Sequence, residues 1–460
     1  MALGRRKGEH QESFLASTDL PRAPGHPFYV ELNRLLARHG FDRHVEKLCE
    51  PYYAKVGRPG IPPGVYFRML FVGYFEGIGS QRGIAWRCAD SLSLREFLGL
   101  GATERSPDHS SLTVIRQRLP LSVYLEVFSL VLKLAHVEGF FEGKIAGMDA
   151  TLLEANAAMK SIVRRDTGED WKAYVRALAA EEGVEIDDDE DLRRFDKKRK
   201  KKGVGNKDWT SGTDPESRIM RMKSGRTHLA YKVEHAVDLE SGLVLAAEIF
   251  PGDLSDGDSL ATTTRMAKQT VRRILGRNRL RDVVADKGYH KSAALAEVIK
   301  QGLRTYIPER RDVWQRVWLD KPRSHKRAVY ANRRRVRGTR NPQLQKKRTE
   351  YLERTFAHAC ETGGGRRCWL RGRDANRKRH LLLVAGLNLG VVMRKMIGFG
   401  SPRSLQGLSS LLDRLIQTLW AALRALRTPQ TASDHSWAMG VERAVTPFCR
   451  PARAVCSTGC

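Results

Sequence analysis

Cysteine is scarce. Seven cysteines stand among 460 residues, at positions 49, 88, 360, 368, 449, 456 and 460, and no CxxC occurs. That excludes a disulfide framework and zinc-finger spacing, and it predicts reduced thiols in an intracellular chain. Long apolar runs are missing as well. The best one, LLLVAGLNLGVVM at 381–393, is shorter than the roughly 18–20 residues that cross a bilayer, and it runs into Arg394 and Lys395. No apolar segment follows the basic residues of MALGRRKGEHQESF, so no secretory signal is expected. Acid is the third shortage: 52 Asp and Glu face 81 Lys and Arg, a formal charge of +29. With 41% hydrophobic residues the chain is expected to be globular. Such a charge excess predicts a polyanionic partner, nucleic acid before anionic membrane.

Along the chain, residues 1–25 read as a flexible N-terminus and 26–140 as a helical domain. Phe28, Leu32, Leu35 and Leu36 recur at helical spacing, as do Tyr66, Met69, Leu70 and Tyr74, and SPDHSSL (106–112) looks like a helix start. Arg68, Arg82, Arg87, Arg116 and Arg118 are expected to be exposed there, either docking DNA or forming a solvated face. Residues 141–396 change pattern. Strands are expected at 144–153, 228–238, 243–250, around 283–285 and at 303–309, with a helix near 258–275, which together indicate a mixed α/β sheet. A charged insertion spans about 156–225: EEGVEIDDDEDL followed by RRFDKKRKKKG reads as surface or partly disordered. Residues 397–460 read as an amphipathic helix (Leu405 to Leu423) and a loose tail.

Three acids stand out. Asp149 follows the apolar Ile145, Ala146 and Met148. Asp286 follows Val283, Val284 and Ala285 and precedes Lys287 and Gly288. Strand ends beside glycine turns are where α/β sheets place ligands; a turn or cap acid is the plainer alternative. Glu353 shares a helical face with Phe356, Ala357 and Cys360, so it is expected on the packed face with a metal or a basic partner. Glu361, Glu350 and Glu309 are its rivals. A basic protein that cuts or joins nucleic acid needs such acids, because hydrated Mg²⁺ takes a few carboxylates plus phosphate oxygens. From Lys321 to Arg348 there are twelve Lys and Arg and no acid, and that run is expected to bind DNA phosphates. Arg333, Arg334, Arg335, Arg337, Lys346, Lys347 and Arg348 are the named contacts, with Lys287 beside Asp286.

The ordered motifs carry a resemblance. MDATLLEANAAMKSIVRRDTGEDW, GRTHLAYKVEHAVDLESGLVLA, VVADKGYH, LERTFAHACETGGGRRCWLRG and LLLVAGLNLGVVMRKMIG, with PFYVELNRLL and GRPGIPPGVYFRML before them, resemble bacterial insertion-sequence DDE transposases. The resemblance covers about residues 25–403. It implies a ribonuclease-H-like mixed sheet beside an all-α N-terminal domain. It also implies Asp149, Asp286 and Glu353 as catalytic acids on two Mg²⁺ (or Mn²⁺) ions. The implied substrates are double-stranded transposon ends and target DNA, handled by a cytoplasmic homodimer. One departure is plain: the Tyr-x2-Arg-x3-Glu-x6-Lys pattern of some relatives is not met, since Thr349 and Cys360 stand at its Arg and Lys positions.

Overall fold

In the computed structural model the described residues are 25–405, apart from 55, 57–59, 102–103, 187, 199–204 and 310–317, together with residue 418. The expectations for residues 1–24, for the helix at 405–423 and for the tail fall almost wholly outside them.

The first seven helices are α1 (Pro27–Arg38), α2 (Phe41–Cys49), α3 (Pro63–Glu76), α4 (Gln81–Asp90), α5 (Leu92–Phe97), α6 (His109–Arg118) and α7 (Leu121–Val137). Their starts follow local chemistry. Proline opens α3 at its first position, where the missing N–H costs nothing. Asp108 caps α6 by accepting from Ser110 N at 3.1 Å, and that exposed carboxylate is held down to about 2, first by the Ser110 hydroxyl.

The main sheet begins with β1 (Ile145–Glu154). The charged insertion follows and is folded: β2 (Ile162–Arg164), α8 (Trp171–Glu181), α9 (Asp189–Lys198), β3 (Trp209–Ser211) and β4 (Arg218–Arg221). The charged runs were expected to be surface or partly disordered, and the described residues of α8 and α9 are helical and largely exposed. In α9 the acids Asp189, Glu190 and Asp191 occupy the first turn and Lys197 and Lys198 the last. That order sets each charge at the end of the helix dipole that favours it, while Leu192 is fully buried.

The chain then makes β5 (Thr227–Asp238), β6 (Val244–Pro251), α10 (Asp256–Leu275), β7 (Asp282–Val284), α11 (Ser292–Lys300) and β8 (Arg304–Tyr306). It ends with α12 (Arg323–Arg337), α13 (Arg340–Ala357) and α14 (Arg373–Ile397). The sheet runs β4-β5-β1-β7-β8, with β6 also on β5. β5 pairs antiparallel with β1, β4 and β6, whereas β1, β7 and β8 are parallel neighbours. The fold is therefore mixed α/β with a helical N-terminal region.

One continuous apolar core joins the first helices to the sheet. Its spine is α14, which packs on α7, α3 and β6. α14 is long and apolar enough to span a membrane by composition alone, yet fifteen of its residues are buried inside the protein. Arg68 does not face solvent as expected. α3 is apolar nearly all round, so it has no wet side for the guanidinium. Arg68 is 4% exposed and bonds Asp42 at 2.7 and 2.8 Å, Asn33 and the Phe97 carbonyl.

Candidate active site

β7 pairs with only the first three residues of β1, ending at Gly147 opposite Val284. Beyond that point the two chains diverge, and β1 turns from buried to half-exposed. Asp149 lies two residues past Gly147 and Asp286 two past Val284, so the acids stand side by side where the parallel strands part. Asp149 Oδ1 accepts from Ala150 N at 2.8 Å. Asp286 Oδ1 accepts from Gly288 N at 2.8 Å, capping a short turn over 287–289. Burial pushes the Asp149 carboxyl up, and the like charge of Asp286 adds to the push; Ala150 N–H and Arg348 oppose it. A half-exposed carboxylate whose charge is disfavoured by burial and by an acid beside it is a site that gains from a cation.

That cation is an arginine here. Arg348 Nη1 lies 3.1 Å from Asp149 Oδ2. Arg348, expected among the DNA contacts, is thus mostly buried against this acid.

Next to the pair an open groove of about 1250 Å³ is lined by Ala150, Thr151, His228, Lys232, Asp256, Gly288, Phe356, Ala357, Cys360 and Glu361, among others. Under it runs a charged network that local sequence patterns do not reveal. Lys232, 3% exposed, places Nζ 2.7 Å from Asp256 Oδ1 and 2.9 Å from Ser259 Oγ. Glu234, fully buried, accepts from Ser259 Oγ and from Tyr289 Oη, the latter at 3.1 Å. Burial holds the Glu234 carboxyl above its ordinary range. A Cβ at Gly288 would stand 2.9 Å from Asp256 Oδ2 and 3.0 Å from Asp286 Oδ1, so a side chain there would push these two acids. The available signal was charge alternating with apolar residues in AYKVEHAVD, a pattern that ordinarily marks a solvated face. Both faces of β5 are covered.

Glu353 is not on the packed face. Phe356 and Ala357, one turn on along α13, line the groove, as does Cys360 in the turn His358–Thr362 that follows the helix. The packed stripe is Leu344, Leu352 and Thr355. Glu353 is exposed, one turn before Phe356, and no ion pair holds it among the described residues. Each rival is engaged: Glu361 by Arg366, Glu350 by Arg354 at 2.9 Å, and Glu309 by Arg333 at 2.9 Å. Among the described residues no three Asp, Glu, His or Cys side chains close up into a metal centre. The structure thus brings Asp149 and Asp286 together and leaves Glu353 exposed on α13.

The basic run 321–348 is also corrected. Its counter-charges are absent only from the run itself, which packs as α12 and the start of α13. Arg333 bonds Glu309, Arg335 donates to the Thr305 carbonyl at 2.9 Å, and Arg340 meets Asp282 at 3.0 Å. Arg334, Arg337, Lys346, Lys347 and, beside Asp286, Lys287 remain exposed.

Comparison with known families fits this arrangement. Residues 19–118 match the family described as Transposase domain (DUF772), and residues 202–389 match the Transposase DDE domain. The chain belongs to the insertion-sequence DDE transposases. Asp286 and Glu353 lie inside the DDE-domain match, while Asp149 lies in the unmatched stretch between the two. No curated protein and no solved structure matches this transposase.

Proposed function

We propose that this transposase cuts the ends of a bacterial insertion sequence and joins them to target DNA on a ribonuclease-H-like core. With the insertion strands β2 to β4 set aside, the core strands are β1, β5, β6, β7 and β8: three antiparallel, then two parallel. Asp149 lies on the first, Asp286 after the fourth and Glu353 on a helix beyond the fifth. The observation that carries the reading is the mutual placement of Asp149 and Asp286 where β1 and β7 part, beside a groove.

Asp149 and Asp286 would hold divalent cations, with Glu353 reaching in from α13. Bound Mg²⁺ or Mn²⁺, two ions by this reading, supplies activation of the attacking oxygen and stabilisation of the leaving one. The donor set fits hard cations, because the acids are carboxylates that already attract a guanidinium. The exposed cations of α12 and α13, with Lys287, would grip double-stranded DNA backbone. Two DNA ends need two copies of the site, hence a homodimer on DNA, acting in the bacterial cytoplasm.

The test is a cleavage and joining assay on duplexes carrying the element's ends, with and without Mg²⁺. Wild type should cut only with metal, and Asp149→Ala should not cut while still binding DNA. Undiminished cutting by the variant would remove Asp149 from the mechanism. Binding without any cutting by wild type would leave a DNA-binding protein with a dead site.

A further inference from the structure

Arg348 is built into its place. Its stem passes Gly147, where a Cβ would come within 3.3 Å of Arg348 Cγ. Its Nε donates to Gln345 Oε1 at 3.3 Å. Gln345 is itself fixed, donating from Nε2 to the Tyr306 carbonyl at 2.9 Å and the Ala285 carbonyl at 3.3 Å, at the ends of β8 and β7. The Arg348 side chain is 12% exposed and the Asp149 side chain 33% exposed. Both Asp149 oxygens are therefore taken, Oδ1 by a backbone N–H and Oδ2 by Arg348. A divalent ion can gain full use of Oδ2 only as Arg348 gives it up.

We propose that Arg348 is the resident cation of the catalytic acids: it competes with divalent metal for Asp149 and, once displaced, pairs with a backbone phosphate of the DNA in the groove. This rests on the reading of Asp149 as a metal ligand. The consequence is linkage. Metal frees a cation for DNA, and DNA, by holding that cation, favours metal to the same extent. Arginine suits the exchange, because the same planar fork fits a carboxylate and a phosphate. Before DNA arrives, the latch keeps Asp149 paired, so that metal loads fully on the complex and strand cutting is confined to it.

The test is a Mn²⁺ titration of the full chain without DNA, reading free Mn²⁺ by electron paramagnetic resonance. Arg348→Gln should bind Mn²⁺ about fivefold more tightly than wild type, the scale of one partly exposed ion pair. Arg348→Lys, a weaker fork that keeps the charge, should fall between them. Unchanged or weaker Mn²⁺ binding by Arg348→Gln would overturn the proposal, since Arg348 would then be a packing or orienting residue. Asp149→Asn separates the two layers: if it binds Mn²⁺ as wild type does, the metal-ligand reading of Asp149 fails on its own account. In a second arm, duplex affinity is measured by fluorescence anisotropy with and without Ca²⁺. Wild type should gain affinity from the ion, and Arg348→Gln should lose that gain. An equal gain in both would also overturn the proposal.

Discussion

Two stretches of this transposase are dense in charge, and they solve the same problem differently. In the insertion, α8 and α9 neutralise themselves at short range. Arg194 meets Glu190 and Asp191 on its own helix at 3.3 and 3.2 Å, and Lys172 meets Asp189 at 2.5 Å. These side chains are mostly exposed, so each pair contributes little to stability. Along α12 and α13 the partners are distant in sequence and lie on the sheet: Glu309 after β8, Thr305 in β8, Asp282 in β7 and Asp149 in β1. The first arrangement closes a surface module. The second straps a basic helix pair onto the parallel strands, at Asp282 on the first residue of β7, Thr305 within β8 and Asp149 within β1. The insertion carries both signs of charge within itself, whereas residues 321–348 hold twelve cations and no acid; the reach of the ion pairs follows from that difference.

The largest contrast should come from carboxylates. Glu353→Gln on α13 is expected to lower metal-dependent strand cleavage on the order of a thousandfold, the size of several kcal/mol of lost charge stabilisation. Glu190→Gln on α9 should leave cleavage unchanged. If Glu361→Gln, rather than Glu353→Gln, stopped cleavage in that assay, the third acid would be reassigned to the π-type turn His358–Thr362 that follows α13. Next come the exposed cations. Replacing Arg334, Arg337, Lys346 and Lys347 together by Ala should weaken duplex binding by about ten- to a hundredfold. The slope of log affinity against log salt should flatten by roughly 0.9 for each phosphate that is no longer neutralised. Arg333 and Arg335 are poorer choices, because each already holds a protein partner.

These contrasts also mark what the amino-acid sequence reveals. The sheet was legible because its strands are apolar runs rich in Val, Ile and Leu bounded by glycine. Asp149 and Asp286 were legible because each ends such a run. Helix period put Glu353 on one face with Phe356, Ala357 and Cys360, but α13 ends at Ala357 and Cys360 lies in a π-type turn, and period says nothing of what lies opposite a face. For the same reason Arg68 was misplaced: its partner Asp42 sits on another helix, and no local signal joins them. Lys232 and Glu234 were hidden because alternation in a strand reads as a wet face whether or not a helix covers it. Within the twelve cations of 321–348, the pairing of Arg333, Arg340 and Arg348 was hidden, since their counter-charges lie up to 199 residues away.

Stability should divide along the same line. Asn332, fully buried on α12, donates from Nδ2 to the Ile307 carbonyl at 2.7 Å and accepts from Ile307 N at 3.1 Å, tying the helix to the end of β8. Asn332→Ala leaves two buried backbone groups unmatched and should cost about 2–3 kcal/mol in denaturant unfolding. Glu190→Ala on α9 should cost less than about 0.5 kcal/mol, as an exposed pair does. A large loss from Glu190→Ala would mean that the insertion is wired into the core.

The smallest effect is expected from stripping α9 of its own cations. Arg193, Arg194, Lys197 and Lys198 are all exposed, and changing them to Ala removes as many charges as the α12–α13 variant does. A simple net-charge account of DNA binding predicts equal losses for the two variants. A local account predicts otherwise, because the field of an exposed charge fades within a Debye length of about 8 Å at physiological salt. Affinity should then fall by less than about twofold and the salt slope should stay put, since these residues release no counterion from DNA. Fluorescence anisotropy across a salt series on both variants decides between the accounts. A slope flattened as much by the α9 changes as by the α12–α13 changes would place the insertion on the DNA and erase the division of labour between the two charged stretches.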